Sequence, residues 1–198
     1  MGDHYYTAKP GSDHDRRMIH AELLGLKLSF VTDAGVFSRS GLDEGSALLI
    51  EQFQAASGSR IADVGCGYGP IGIYLALRIP DSKVTMLDMN GRALALAAEN
   101  AERNKAANVR VLESDGLQAV KAEGFDAIVT NPPIRAGKAT VHRIFEEAHT
   151  CLDTGGSLWV VIRTKQGAPS AKRKLESMFA QVDERAKNKG YRIYQAIK

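Results

Sequence analysis

An α/β domain is what this sequence predicts: a doubly wound, seven-stranded, mostly parallel sheet with helices on both faces and an antiparallel hairpin at its C-terminal end. Three observations predict it. From residue 60 onward, short apolar, β-branched runs alternate with segments of helical period, the pattern of βαβ units on a parallel sheet. A glycine-rich turn, Gly65-Cys66-Gly67-Tyr68-Gly69, joins the first of those runs to a helical segment, as in Rossmann-like nucleotide-binding sheets. Two further runs closed by Asn188-Lys189-Gly190 end the chain, and Gly190 can take the left-handed position of a hairpin turn.

Taken in order, Leu24, Leu26, Leu28 and Phe30 alternate as a strand would, after a polar stretch (residues 1–18) without periodicity. A helix is expected from about Asp43 to Phe53. The parallel strands are expected at Arg60–Val64, Lys83–Asp88, Val109–Glu113, Phe125–Thr130 and Ser157–Arg163. Between them, Leu94, Ala97 and Ala101 line one helix face, and Val141, Ile144, Phe145, Ala148 and Cys151 line another. A helix around Ser170–Phe179 precedes the hairpin of Gln181–Lys187 and Tyr191–Ile197. The whole is read as a single domain over residues 1–198, with residues 1–56 an N-terminal extension packed on the core.

Composition bounds the function. With 44% hydrophobic and 25% charged residues the chain is an ordinary globular one, neither disordered nor a disulfide scaffold. The start, Met1-Gly2-Asp3-His4, opens no apolar segment of a signal peptide, Tyr6 breaks a myristoylation pattern, and no apolar run approaches the ~18 residues of a membrane span. The expectation is a cytoplasmic protein without a membrane partner. Cys66 and Cys151 lack the paired spacing of a zinc or redox site, so free thiols and no metal are expected. Net charge is only +3, yet residues 163–198 hold ten Lys or Arg against three acids. That segment is a candidate anion-binding face, the alternative being a solvated helix and hairpin surface.

The glycine-rich turn carries the cofactor signal. Gly65 and Gly67 let the backbone turn sharply and approach a ligand, and Asp63 at the strand's end can face a ligand cation. Pro70 stands where a dinucleotide fingerprint needs its third glycine, which argues against NAD and an oxidoreductase. Asp88 ends the second strand and Asp115 follows the third. An acid in the first position can accept from both ribose hydroxyls, and one in the second from an adenine amine. Any one of these acids alone could be a cap or turn residue; three at successive strand ends are harder to explain that way.

The chemistry signal lies after the fourth strand, at Asn131-Pro132-Pro133-Ile134. Two prolines stiffen the loop, so the Asn131 amide oxygen and the Pro132 carbonyl can be fixed as acceptors beside the cofactor. Such acceptors would orient an exocyclic NH2 with its lone pair towards an electrophilic methyl group. No general base or nucleophilic triad is evident, and His142 and His149 read as helix-surface residues.

Together, Asp63-x-Gly-x-Gly-x-Gly, Asp88, Asp115 and Asn131-Pro-Pro-Ile resemble class I S-adenosylmethionine-dependent methyltransferases. More narrowly, Asp33-Ala-Gly-Val-Phe-Ser38, Asp63–Gly72, Asn131–Lys138 and Lys165-Gln-Gly-Ala-Pro-Ser170 resemble the small-subunit (16S) ribosomal RNA guanine-N2 methyltransferases, over about Tyr5 to Lys198. The resemblance implies that Asp63, Gly65, Cys66, Gly67 and Gly69 hold the methionine half of S-adenosylmethionine, Asp88 the ribose and Asp115 the adenine edge. Asn131 would stand where cofactor and acceptor meet and, with Pro132, Pro133 and Ile134, form the catalytic group. Ile134 occupies a position usually aromatic in that motif, so Phe37 is the candidate stacking platform. Arg135, Lys138 and Lys165, with Arg163, are candidate contacts to RNA phosphates. The implied partner is ribosomal RNA or the small ribosomal subunit. The chain matches the catalytic half of the two-domain members. Alternatives sharing the Asn-Pro-Pro logic are a release-factor glutamine or an adenine N6 as acceptor; a non-catalytic assembly factor leaves the acceptor pair and the three acids without purpose.

Overall fold

The structure, a computed structural model, describes residues 13–198. It contains nine strands and five α-helices among those residues: β1 (Arg17–Leu23), β2 (Leu26–Thr32), α1 (Glu44–Gln52), β3 (Arg60–Val64), α2 (Pro70–Arg78), β4 (Lys83–Asp88), α3 (Gly91–Arg103), β5 (Val109–Glu113), β6 (Phe125–Thr130), α4 (Lys138–Cys151), β7 (Leu152–Arg163), α5 (Ala168–Glu176), β8 (Gln181–Asn188) and β9 (Tyr191–Ile197). Seven strands form one sheet in the order β5-β4-β3-β6-β7-β9-β8. β3 to β7 run parallel, whereas β9 is antiparallel to both β7 and β8. The predicted α/β class, strand count and C-terminal hairpin are therefore all present.

This order fixes where a ligand can sit. From β3 the chain winds outward through β4 and β5, then returns to the other side of β3 as β6 and continues to β7. The connections leave β3 and β6 in opposite directions, which opens a crevice beyond their carboxyl ends. There Val64 pairs with Thr130, and the Thr130 hydroxyl donates to the Val64 carbonyl at 2.9 Å.

Two apolar layers sandwich the sheet. One gathers Leu49, Phe53, Ile73, Leu75, Met86, Ala97 and Trp159 with Phe30 of β2, and the other Phe145, Ala148, Leu158, Leu175 and Ile162. The α4 stripe of Val141, Ile144, Phe145, Ala148 and Cys151 is buried as its period predicts.

Five local expectations need correction. A strand already begins at Arg17, inside the stretch read as non-periodic (residues 1–18): β1 precedes Leu24 and pairs with β2 from Arg17–Thr32 to Leu23–Leu26. Leu24 belongs to no strand: with Gly25 it makes the hairpin turn, at φ 52° and 79°, because a tight turn between twisted strands requires positive φ. On α3 the buried face is Ala93, Leu96, Ala97, Asn100 and Ala101, with Leu94 at its margin. Asn100 broke the apolar pattern yet is fully buried; it accepts from Val31 N at 2.7 Å and donates to Val31 O and Tyr68 O at 2.9 Å each, tying the hairpin to the glycine loop. β7 starts at Leu152, five residues before the expected Ser157, with a register irregularity against β6 at Phe125/Ala127. The last helix, α5, runs from Ala168 to Glu176 and leaves Phe179 beyond its end. Residues 1–12, including Tyr5 and Tyr6, lie outside the described residues.

Candidate active site

The crevice holds a cleft of about 450 Å³. Its floor is the β3–α2 turn. Gly65 (φ 74°) and Gly67 (φ 57°) both adopt left-handed backbone, and a Cβ at either would meet no protein atom within 4 Å. Positive φ explains the glycines locally. The open space beside them is a cradle that side chains would fill. Gly69 (φ 93°) serves the helix instead, since it precedes Pro70, the first residue of α2, and its own Cβ would crowd Ile73 and Ala97. Proline is suited to that first helical position.

Asp88, at the end of β4, accepts from Gly67 N and from Asn90 N at 2.9 Å each. It therefore braces the glycine loop, and its carboxylate oxygens keep lone pairs for further donors. Burial raises its pKa despite those bonds. Asp115 lines the same cleft but is exposed and forms an ion pair with Arg143 of α4 at 2.5 Å. Arg143 in turn contacts Glu147 at 3.0 Å, and Glu147 accepts from Leu117 N at 2.8 Å. The loop after β5 is thus fastened to α4.

Asp63 is fully buried and lies beneath the glycine loop without lining the cleft. Its Oδ2 accepts from Gly72 N at 2.8 Å, while Oδ1 is buried with no partner among the described residues. Burial in that environment pushes its pKa up to about 7. The Cys66 thiol is driven upward as well, by burial and by the nearby Asp88 and Asp63 carboxylates, which makes it a poor nucleophile.

On the opposite wall stand Asn131, Pro132, Pro133, Ile134 and Arg135, with Phe37 from the loop after β2. Pro132 O accepts from Ile134 N at 2.8 Å, which fixes the carbonyl's direction and leaves it one further acceptor site. Asn131 Nδ2 donates to Asp43 Oδ2 at 3.1 Å and to Ser46 Oγ at 3.0 Å. Turning the amide over would set its oxygen against the Asp43 carboxylate, so the orientation is dictated by charge. Asn131 Oδ1 is left as the accepting end. Lys138 and Lys165 are near the same rim but do not line the cleft, whereas Arg163 does.

Four contributors, Asp43, Ser46, Tyr191 and Arg143, were not singled out from the sequence as site residues. Asp43 caps α1 by accepting from Ser46 N at 2.9 Å, and Tyr191 of β9 donates its hydroxyl to Asp43 Oδ1 at 3.0 Å. Arg163 lies 4.7 Å above the Tyr191 ring. The start of a helix was legible at about Asp43, but its cap and its reach to Asn131 were not. Arg143 of α4 is placed against Asp115 by the fold.

This geometry carries a specific likeness. Residues 27–195 match the family model described as "Methyltransferase small domain". The chain belongs to this methyltransferase family. Among curated relatives it is 46% identical to the uncharacterized protein YbxB of Bacillus subtilis, with all of both chains covered. It is 32% identical to ribosomal RNA small subunit methyltransferase C of Stutzerimonas stutzeri, covering 96% of this chain and 57% of that one. The solved structure of the Thermus thermophilus 16S rRNA N2 G1207 methyltransferase, in complex with AdoMet and guanosine, superposes with a TM-score of 0.82 at 28% identity, over 92% of this chain and 50% of that one. Relatives named ribosomal RNA large subunit methyltransferase G match too. The chain spans about half the length of the named ribosomal RNA methyltransferases it matches. The Thermus thermophilus structure holds AdoMet. The site suits it: an open glycine cradle, a carboxylate at the end of β4 and a buried, unpartnered carboxylate oxygen beneath the loop together fit a cationic, ribose-bearing ligand. Among the described residues there is no helix long and apolar enough to cross a membrane and no metal-ligating cluster.

Proposed function

We propose that the protein methylates the exocyclic N2 amine of a guanine in small-subunit (16S) ribosomal RNA. The observation that carries the reading is the orientation of the Asn131 amide, whose protons are held by Asp43 and Ser46 while its oxygen is left to accept. The RNA substrate is supported by the names of the relatives and by Arg135 and Arg163 in the cleft lining.

On this reading Gly65, Cys66 and Gly67 receive the methionine half of the cofactor, Asp63 acts on its charge from below, Asp88 binds the ribose and Asp115 lies by the adenine edge. S-adenosylmethionine supplies an electrophilic methyl group. Asn131 Oδ1 and Pro132 O accept the two amine N–H groups, which leaves the nitrogen lone pair outside those hydrogen bonds. As the nitrogen gains positive charge its N–H groups become stronger donors, so the two fixed acceptors stabilise the charged state more than the neutral one. The excess proton then passes to water, and no protein base is needed. Phe37, about two-fifths exposed at the cleft wall, offers the flat surface on which the base can stack and takes the place of the aromatic residue absent at position 134. Arg135, Lys138 and Lys165 contact backbone phosphates and act in the cytoplasm, where ribosomes are assembled.

The test is incubation with radiolabelled S-adenosylmethionine and undermodified small subunits, beside large subunits, naked RNA and a release factor, followed by digestion to nucleosides or peptides. Labelled N2-methylguanosine from small-subunit RNA is the expected product. Label in large-subunit RNA moves the substrate, label in N6-methyladenosine moves the base, and label in a glutamine overturns the RNA reading.

A further inference from the structure

Asn131 is one corner of a polar cluster that draws on three distant parts of the chain. Asp43 Oδ2 accepts from Asn131 Nδ2 (3.1 Å) and Ser46 N (2.9 Å), and the Ser46 hydroxyl lies 3.4 Å from the same oxygen while accepting from Asn131 at 3.0 Å. Asp43 Oδ1 accepts from the Tyr191 hydroxyl at 3.0 Å. The space for Tyr191 is made by Gly45, where a Cβ would sit 2.6 Å from the ring. Asp43-Glu44-Gly45-Ser46 is thus a compact device: a carboxylate, a gap for the tyrosine and a hydroxyl, all aimed at one amide.

We infer that Asp43 is a positioning residue for methyl transfer: with Ser46 it holds both amide protons of Asn131 and so presents Oδ1 to the acceptor amine. This rests on the reading of Asn131 given above. Two effects follow from the geometry. The amide cannot rotate or flip without losing two hydrogen bonds, one of them charge-assisted. A carboxylate on the N–H side also polarises the amide and makes Oδ1 a better acceptor, since linked hydrogen bonds strengthen one another. Tyr191, held beneath Arg163, fixes the other carboxylate oxygen.

Capping of α1 is the competing explanation for Asp43, and substitutions separate the two. Asp43→Ser keeps a good cap but is too short to hold Asn131, whereas Asp43→Asn keeps both a cap and an acceptor for the amide. The positioning role predicts that Asp43→Ser lowers kcat about 100-fold with the cofactor Kd and RNA KM within a few-fold, while Asp43→Asn retains at least ten times more activity than Asp43→Ser. Equal losses in the two variants contradict it.

Exchanging the partners is sharper still. Asn131→Asp sets two carboxylates against each other, and the double variant Asp43→Asn/Asn131→Asp restores an amide–carboxylate pair with its polarity reversed. The double variant should exceed Asn131→Asp in kcat by tenfold or more; losses that multiply overturn the proposal. A readout free of substrate completes the test: the Asn131 side-chain amide protons, followed by NMR in asparagine-labelled protein, should exchange slowly in the wild type and in Asp43→Asn and rapidly in Asp43→Ser. Unchanged protection in Asp43→Ser overturns the network. A different methylated product with the Asp43 pattern intact overturns the guanine reading alone.

Discussion

The two walls of the cleft are built in different ways. On the glycine-loop side, Asp88 closes its contacts over a short stretch: it bonds Asn90 two residues away and Gly67 twenty-one residues away. On the acceptor side, Asn131 is held by Asp43 and Ser46 across 88 and 85 residues, and Asp43 by Tyr191 across 148. The contacts of Asp88 and of Asp63 with the glycine loop and α2 therefore close within the β3–α2–β4 unit and the turn that follows it. The acceptor wall consists of one motif and a support assembled only when β9 and α1 have docked on the sheet. Binding and chemistry should accordingly be separable by mutation.

The largest separation is expected at Asn131. Asn131→Ala should lower turnover by at least 10²- to 10³-fold, the range for losing a fixed electrostatic contact to a charge that develops in the transition state; a single-turnover rate within tenfold of wild type would place the amine elsewhere. Asp88→Ala attacks the other wall, and the Kd for S-adenosylhomocysteine should rise about tenfold or more through loss of charge-assisted hydrogen bonds. Because Asp88 also braces Gly67, Asp88→Asn should recover part of that affinity.

Gly45→Ala reaches the acceptor wall from a distance. Its new methyl group meets the Tyr191 ring at 2.6 Å, and overpacking of this kind costs about 1–3 kcal/mol in stability. Thermal unfolding should show that loss, with turnover falling more than cofactor affinity.

Asp63 gives the cofactor wall a pH signature. Its native pKa of about 7 stands above the ordinary aspartate value of 3.8. Below about pH 4 both folded and unfolded chains hold the proton; between 4 and 7 the folded chain holds more, so this group's contribution to stability is lost as pH rises, by up to about 1.4 kcal/mol per unit. Asp63→Asn should flatten unfolding free energy against pH in that window. A bound cation above the carboxylate favours ionisation, so calorimetry in buffers of different ionisation enthalpy should detect release of a fraction of a proton on cofactor binding near pH 7, absent in Asp63→Asn. The smallest effect belongs to the rim: Lys165→Ala should weaken RNA binding only a few-fold and reduce the salt slope by about one.

What could be read in advance follows the same division. The α/β order, the five parallel strands and the closing hairpin were legible because period and turn chemistry are local. So were Gly65, Gly67, Asp88 and Asn131, which the fold gathers around one cleft. Asp63 was read as facing a ligand, and its depth below the loop was not evident, since sequence does not reveal burial at a strand end. Strand β1 escaped notice because only its Ile19, Ala21 and Leu23 face the core. Asn100 was not singled out, because a polar residue on a helix does not announce a buried partner; it is the bond between hairpin and glycine loop. Asp43 was visible only as the start of a helix, because its second role needs a partner 88 residues away.

If cofactor binding and amine presentation reside on separate walls, the dissociation constant of Asn131→Ala for S-adenosylhomocysteine, measured by calorimetry beside the wild type, should show it at once. A value within a few-fold of wild type is the predicted result. A loss as large as that of Asp88→Ala would contradict the division and move Asn131 to the cofactor.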